Sequence, residues 1–131
     1  MPALLLLLLA TPASAGLFGS DAPRRIPVPA RDISASVEDV DGVRTQLARF
    51  TFDGEVYLFG EVGRAQVTVA FEDIDQVVFE PTDDEDWRTA IVRLKAGDEV
   101  RLKVEHDRPL FGRAHYGNYR IEAEDVRVVE F

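Results

Sequence analysis

From Ser34 onward, apolar side chains recur at every second position, the period of a half-buried strand. Ala48, Phe50 and Phe52 alternate with polar neighbours, and Val100, Leu102 and Val104 do the same further on. This patterning predicts strands over Ser34–Val40, Val43–Phe52, Glu55–Phe59, Ala65–Phe71 and Gln76–Glu80. A second set follows over Arg88–Leu94, Glu99–Glu105, Asn118–Ala123 and Arg127–Phe131. Asp41-Gly42 and Asp53-Gly54 supply positive-φ residues for tight hairpins, and Lys95-Ala96-Gly97-Asp98 supplies the turn in the second set. No long stretch has helical periodicity; the nearest, Val37–Arg49, is broken by Asp41-Gly42. The expected fold class is all-β.

The two strand sets are related. Leu58–Phe79 and Leu110–Phe131 align without a gap at an offset of 52 residues, each opening Leu-Phe-Gly and closing on Glu-Asp, an aliphatic residue and a final Val-x-Phe. At the same offset Phe50 and Phe52 meet Leu102 and Val104, so the inward phase carries into a further strand. The expected architecture is one small β-sandwich or barrel-like domain built from two repeated antiparallel meanders, 34–80 and 88–131, joined by the acidic connector 81–87. Leu110-Phe111-Gly112 reads as a turn. The Glu-Asp pairs, Glu72-Asp73 and Glu124-Asp125, fall between strands, where acidic side chains accept from nearby backbone N–H groups and hold a corner.

Ahead of the β domain, Met1–Ala15 carries six consecutive leucines and the triplet Ala13-Ser14-Ala15, the features of a secretory leader with its cleavage site. The leader has no Lys or Arg, a departure from the usual pattern. Its apolar run falls short of the roughly 20 residues needed to cross a membrane, and without a cysteine there is no lipid-modified N-terminus. Residues 16–33 contain Pro23, Pro27 and Pro29 and read as an extended tether. A periplasmic or secreted location is expected.

The net charge of −9 argues against nucleic acid or an anionic lipid surface as partner. With no cysteine, stability must come from strand pairing and apolar burial; the eight Phe residues supply much of that core, and Trp87 is expected to anchor in it.

Candidate chemistry is sparse. Glu105, His106, Asp107 and His115 gather the chain's two histidines with carboxylates, a set able to ligate zinc or another transition metal. Their spacing matches no established ligand pattern, and loop histidines are the simpler account. Asp83, Asp84, Glu85 and Asp86 form the densest acidic run and could offer oxygens to calcium. They lack the alternating Asp/Asn spacing and the glycine of a calcium loop, which favours a solvated connector. None of the four serines, Ser14, Ser20, Ser34 and Ser36, has a nucleophile-elbow context. No catalytic constellation or resident cofactor is expected. The expected role is a non-catalytic exported module that binds a protein partner or itself through sheet edges and loops; the alternative is a metal- or small-ligand-binding protein using Glu105–Tyr116.

Overall fold

A computed structural model describes residues 22–131, so the expected leader and residues 16–21 of the tether lie outside the described residues. Ten strands follow in order: β1 (Ala35–Asp39), β2 (Arg44–Phe52), β3 (Tyr57–Val62), β4 (Ala65–Ala70), β5 (Ile74–Phe79), β6 (Trp87–Leu94), β7 (Glu99–Glu105), β8 (Pro109–Ala114), β9 (Gly117–Glu122) and β10 (Val126–Glu130). All pair antiparallel in a single curled sheet, a half-barrel, in the order β4-β3-β7-β6-β5-β10-β1-β2-β8-β9. The fold is therefore all-β, with one sheet wrapped on itself in place of the two facing sheets of a sandwich.

Exchanging every strand for the one five places away in the chain gives the same order read from the opposite end. The β3–β4 and β8–β9 hairpins share one register, Tyr57 facing Ala70 as Pro109 faces Glu122, and Val62 facing Ala65 as Ala114 faces Gly117. The β1–β2 and β6–β7 hairpins correspond 55 residues apart, with Ala35 facing Leu47 as Ala90 faces Leu102. Leu47, and not Phe50, thus stands where Leu102 does. The change of offset falls in the first half, where β2 is bulged between Ala48 and Thr51 and Arg49 takes φ 53°.

The halves are not self-contained meanders. A tight turn closed by Phe52 and Glu55 sends the chain away from β2, and β3 pairs instead with β7 through Glu61 and Lys103. Likewise β8 pairs with β2. Both crossings are close at a glycine. A Cβ on Gly60 would collide with the Lys103 carbonyl oxygen, and one on Gly112 would lie 2.8 Å from the Leu47 Cβ. Leu110-Phe111-Gly112 is consequently strand, not turn. The C-terminal strand β10 is central, between β5 and β1, and the sheet edges are β4 and β9.

The curl is filled by inward side chains. Phe50, Phe71 and Phe131 form one aromatic group with ring centroids 4.8–5.6 Å apart, and Phe52, Ile74, Phe79, Leu102 and Leu110 are buried beside them. Each large side chain so buried contributes about 1.5–3 kcal/mol. The Glu-Asp corners are 3-10 turns over Phe71–Asp73 and Ala123–Asp125, with neither closed by a carboxylate. Instead the Ile74 N–H donates to the Phe71 carbonyl and the Val126 N–H to that of Ala123. Glu72 faces outward to Arg31, whose guanidinium holds its carboxyl below the usual range. No helix among the described residues is long and apolar enough to cross a membrane.

The described part of the tether is docked. Phe50 N–H donates to Ile33 O, and Arg49 N–H to Asp32 Oδ1. Pro27 lies beside Gly54. Asn118 Nδ2 donates to Pro23 O at 3.1 Å and Arg24 O at 3.2 Å. Pro27 and Ile26 are half-buried, whereas Val28 is 88% exposed.

Candidate functional site

The edge hairpin β3–β4 borders a cavity of about 440 Å³. Strand alternation places Tyr57, Phe59 and Glu61 on one face of β3, with Thr68 and Gln66 opposite Phe59 and Glu61 on β4. The β2–β3 turn adds Asp53 and Glu55. Because β3 lies against β7, the far wall comes from the second half: Trp87, which opens β6 opposite Glu105 at the end of β7, and Arg108 just beyond.

Arg108 organises the floor. Its guanidinium donates to Asp53 Oδ2 at 2.7 Å and to Glu105 Oε1 at 2.5 Å, and its Cζ lies 4.9 Å from the Phe59 ring centroid. Desolvation works against the charged guanidinium, but the two carboxylates outweigh it and raise the Arg108 pKa. Phe59 also packs against Phe52, edge-on with ring centroids 4.9 Å apart. Lys103 Nζ stands 5.8 Å from the Trp87 ring. Trp87 is therefore a half-buried wall of this cavity, not an anchor in the core. Among the described residues, Glu55 and Glu61 have no ion-pair partner within 4 Å. The wall thus offers aromatic faces, one amide and unspent negative charge, a combination suited to an organic cation or guanidinium.

A second depression, of about 820 Å³, lies between the acidic connector and the second 3-10 turn. At its base Arg88, 7% exposed, donates to four backbone carbonyls: Glu80 at 3.2 Å, Ala123 at 2.9 Å, Glu124 at 2.6 Å and Val126 at 3.2 Å. Burial lowers its pKa, opposed by Asp125 and Glu124. Its donors are consumed in holding the corner, so Arg88 is a structural cation.

The residues singled out for metal chemistry are dispersed. Glu105 pairs with Arg108, His106 Nδ1 stands 3.3 Å from Glu124 Oε2, Asp107 is exposed, and His115 packs edge-on against Tyr116. In the connector, Asp84 Oδ1 accepts from the N–H groups of Asp86 and Trp87, which folds the loop on itself and depresses the Asp84 pKa. Asp83, Glu85 and Asp86 are exposed beside it. Among the described residues, no three His, Asp or Glu side chains gather closely enough to hold a metal ion.

Tyr57, Phe59, Gln66, Thr68 and Arg108 carry no motif. Their only sequence signal is Tyr57 and Phe59 alternating between Glu55 and Glu61, an aromatic face on a charged strand.

A family of uncharacterised proteins has a family model that matches residues 29–131. No curated protein and no solved structure matches the chain.

Proposed function

We propose, for a chain that belongs to this family of uncharacterised proteins, a non-catalytic role: an exported β module, periplasmic or secreted, that binds a protein partner or a second copy through its sheet edge and adjoining loops. We also read its two strand sets as one unit duplicated within the chain, which accounts for the palindromic strand order.

One observation carries the binding reading. The edge strand β4, Ala65-Gln66-Val67-Thr68-Val69-Ala70, has neither a charged residue nor a proline along six residues. Natural edges are usually blunted by lysine, proline or a bulge, because an open row of N–H and C=O groups recruits further strands. The opposite edge obeys that rule: β9 carries Arg120 and Glu122, paired at 3.3 Å, and Asn118 ties the tether across it. An unguarded edge beside a cavity is the arrangement used for strand addition, in which main-chain bonds give affinity and a side-chain pocket gives selectivity.

The chain has no cysteine, so Thr68→Cys places a single thiol on this edge. With a thiol-linked photocrosslinker, this variant is expected to trap one defined adduct, identified by mass spectrometry as a partner or a second copy. Arg127→Cys, on the central strand β10, is expected to trap none. Equal trapping at both positions, or none at Thr68→Cys, contradicts edge binding.

A further inference from the structure

We infer that the cavity beside β4 receives an arginine-bearing, proline-containing peptide of a partner protein, gripped by a side-chain amide as the protein grips residues 23 and 24 of its own chain at the opposite edge. This inference rests on the edge-binding reading above and specifies the chemistry of what is bound.

The two edge hairpins share a register, so Gln66 on β4 stands where Asn118 stands on β9: Gln66 faces Glu61 as Asn118 faces Arg113. On the β9 side, the Asn118 amide donates to two successive carbonyls, Pro23 and Arg24, and fixes a proline-containing segment that bends there, the Arg24 N–H donating to the Ala22 carbonyl. An amide at the corresponding place on the β4 side lines the open cavity. The same grip on a peptide carbonyl is available there. Peptides with proline suit it because the ring restricts the backbone before binding, so less conformational freedom is lost.

Charge then selects the peptide. On the β9 hairpin the positions beside the amide are basic, with Arg113 donating to Asn118 Oδ1 and Arg120 two residues on. The docked segment is held there by its carbonyls, and the side chains of Arg24 and Arg25 remain exposed. The β4 cavity has the reverse polarity: Asp53, Glu55, Glu61 and Glu105 line it against Arg108 alone. Arg108 is committed to Asp53 and Glu105, leaving Glu55 and Glu61 for an incoming cation. Tyr57 offers a flat face for a guanidinium, as Phe59 does for that of Arg108, while the Trp87 ring already has Lys103 Nζ over it at 5.8 Å.

The probe is the synthetic peptide Ala-Pro-Arg-Arg-Ile-Pro-Val-Pro, the sequence of residues 22–29. Trp87 is the chain's one tryptophan and lines the cavity, so its fluorescence reports occupancy. The expected result is a saturable change that weakens as salt rises. It should weaken at least tenfold when both peptide arginines are replaced by alanine, or in the Glu55→Gln/Glu61→Gln protein. Gln66→Ala should weaken it several-fold with the circular dichroism spectrum unchanged. Equal binding of the alanine peptide, equal binding of free arginine amide, or no saturation up to about 1 mM peptide overturns the inference. If Thr68→Cys still traps a partner while the peptide fails, the arginine chemistry is wrong and edge binding stands. If both fail, both fall.

Discussion

Val77 of β5 lies directly opposite Val129 of β10, its counterpart 52 residues later in the chain, at the middle of the ten-stranded sheet. The flanking pairs are reciprocal: Gln76 faces Glu130, and Val78 faces Val128. An antiparallel pair with equivalent residues opposed has a local two-fold axis between them. The rest of the strand order follows outward from that axis, each half lending its third and fourth strands to the other. Such an arrangement cannot be cut into two independent units, because β3 without β7 and β8 without β2 would each lose a neighbour.

The two close crossings predict unequal behaviour. Gly60→Ala drives its new methyl into a backbone carbonyl oxygen, whereas Gly112→Ala drives it into the Leu47 side chain. Each is expected to cost about 1–3 kcal/mol in urea unfolding. Leu47→Ala removes two of the three close atoms at Gly112, so the Leu47→Ala/Gly112→Ala double variant should lose less than the sum of the singles. Leu102→Ala should give less relief to Gly60→Ala, because two of the three close atoms there, the Lys103 carbonyl oxygen and carbon, are backbone and only one belongs to Leu102.

Arg88 predicts a stability effect without any effect on peptide binding. Arg88→Met removes the guanidinium donor from four carbonyls, including the buried Val126 oxygen, while Ala123 O keeps the Val126 N–H, and should cost about 3 kcal/mol. Arg88→Lys should recover part of that loss, since three ammonium donors replace some of the bonds made by the guanidinium. Denaturant midpoints at unchanged m-value would measure both.

Thr51 is fully buried and its hydroxyl has no hydrogen-bond partner among the described residues. Thr51→Val keeps the shape and removes the unsatisfied group. The variant should be more stable by about 1 kcal/mol, read as a higher urea midpoint.

Tyr119 predicts the alkaline limit. Burial first, and then the nearby charge of Asp39, pushes its phenol up to about 12. In the unfolded chain a tyrosine ionises near 10. Between those values the unfolded state has released a proton that the folded state keeps, so stability falls as pH rises through that window and is fully present below it. Unfolding midpoints measured at about pH 9 and about pH 11 should diverge in the native protein, and Tyr119→Phe should reduce the divergence.

Much of this fold is legible in the alternation of side chains. Glu99–Glu105 is strand over the bounds that the pattern gives, and Ala65–Ala70 differs by one residue. The strand Pro109–Ala114 was hidden because Pro109 and Gly112 both read as breakers. Gly112 is needed there by the close approach of Leu47, a long-range contact invisible to local pattern. Pairing of β3 with β7 was hidden for a related reason: alternation gives the face of a strand but not its neighbour. The cavity depends on that pairing. Only when β3 meets β7 do Tyr57 and Glu61 reach Trp87, Glu105 and Arg108, of which the first two read separately as core anchor and metal ligand.

Hydrogen–deuterium exchange resolved along the strands tests the central claim, a closed interior with one unguarded edge at β4. The account predicts that Val126–Glu130, although at the end of the chain, exchanges among the slowest because it lies between β5 and β1, and that amides of Ala65–Ala70 exchange among the fastest of the ten strands. Rapid exchange through Val126–Glu130, or protection of Ala65–Ala70 equal to the sheet centre in the isolated protein, would contradict it.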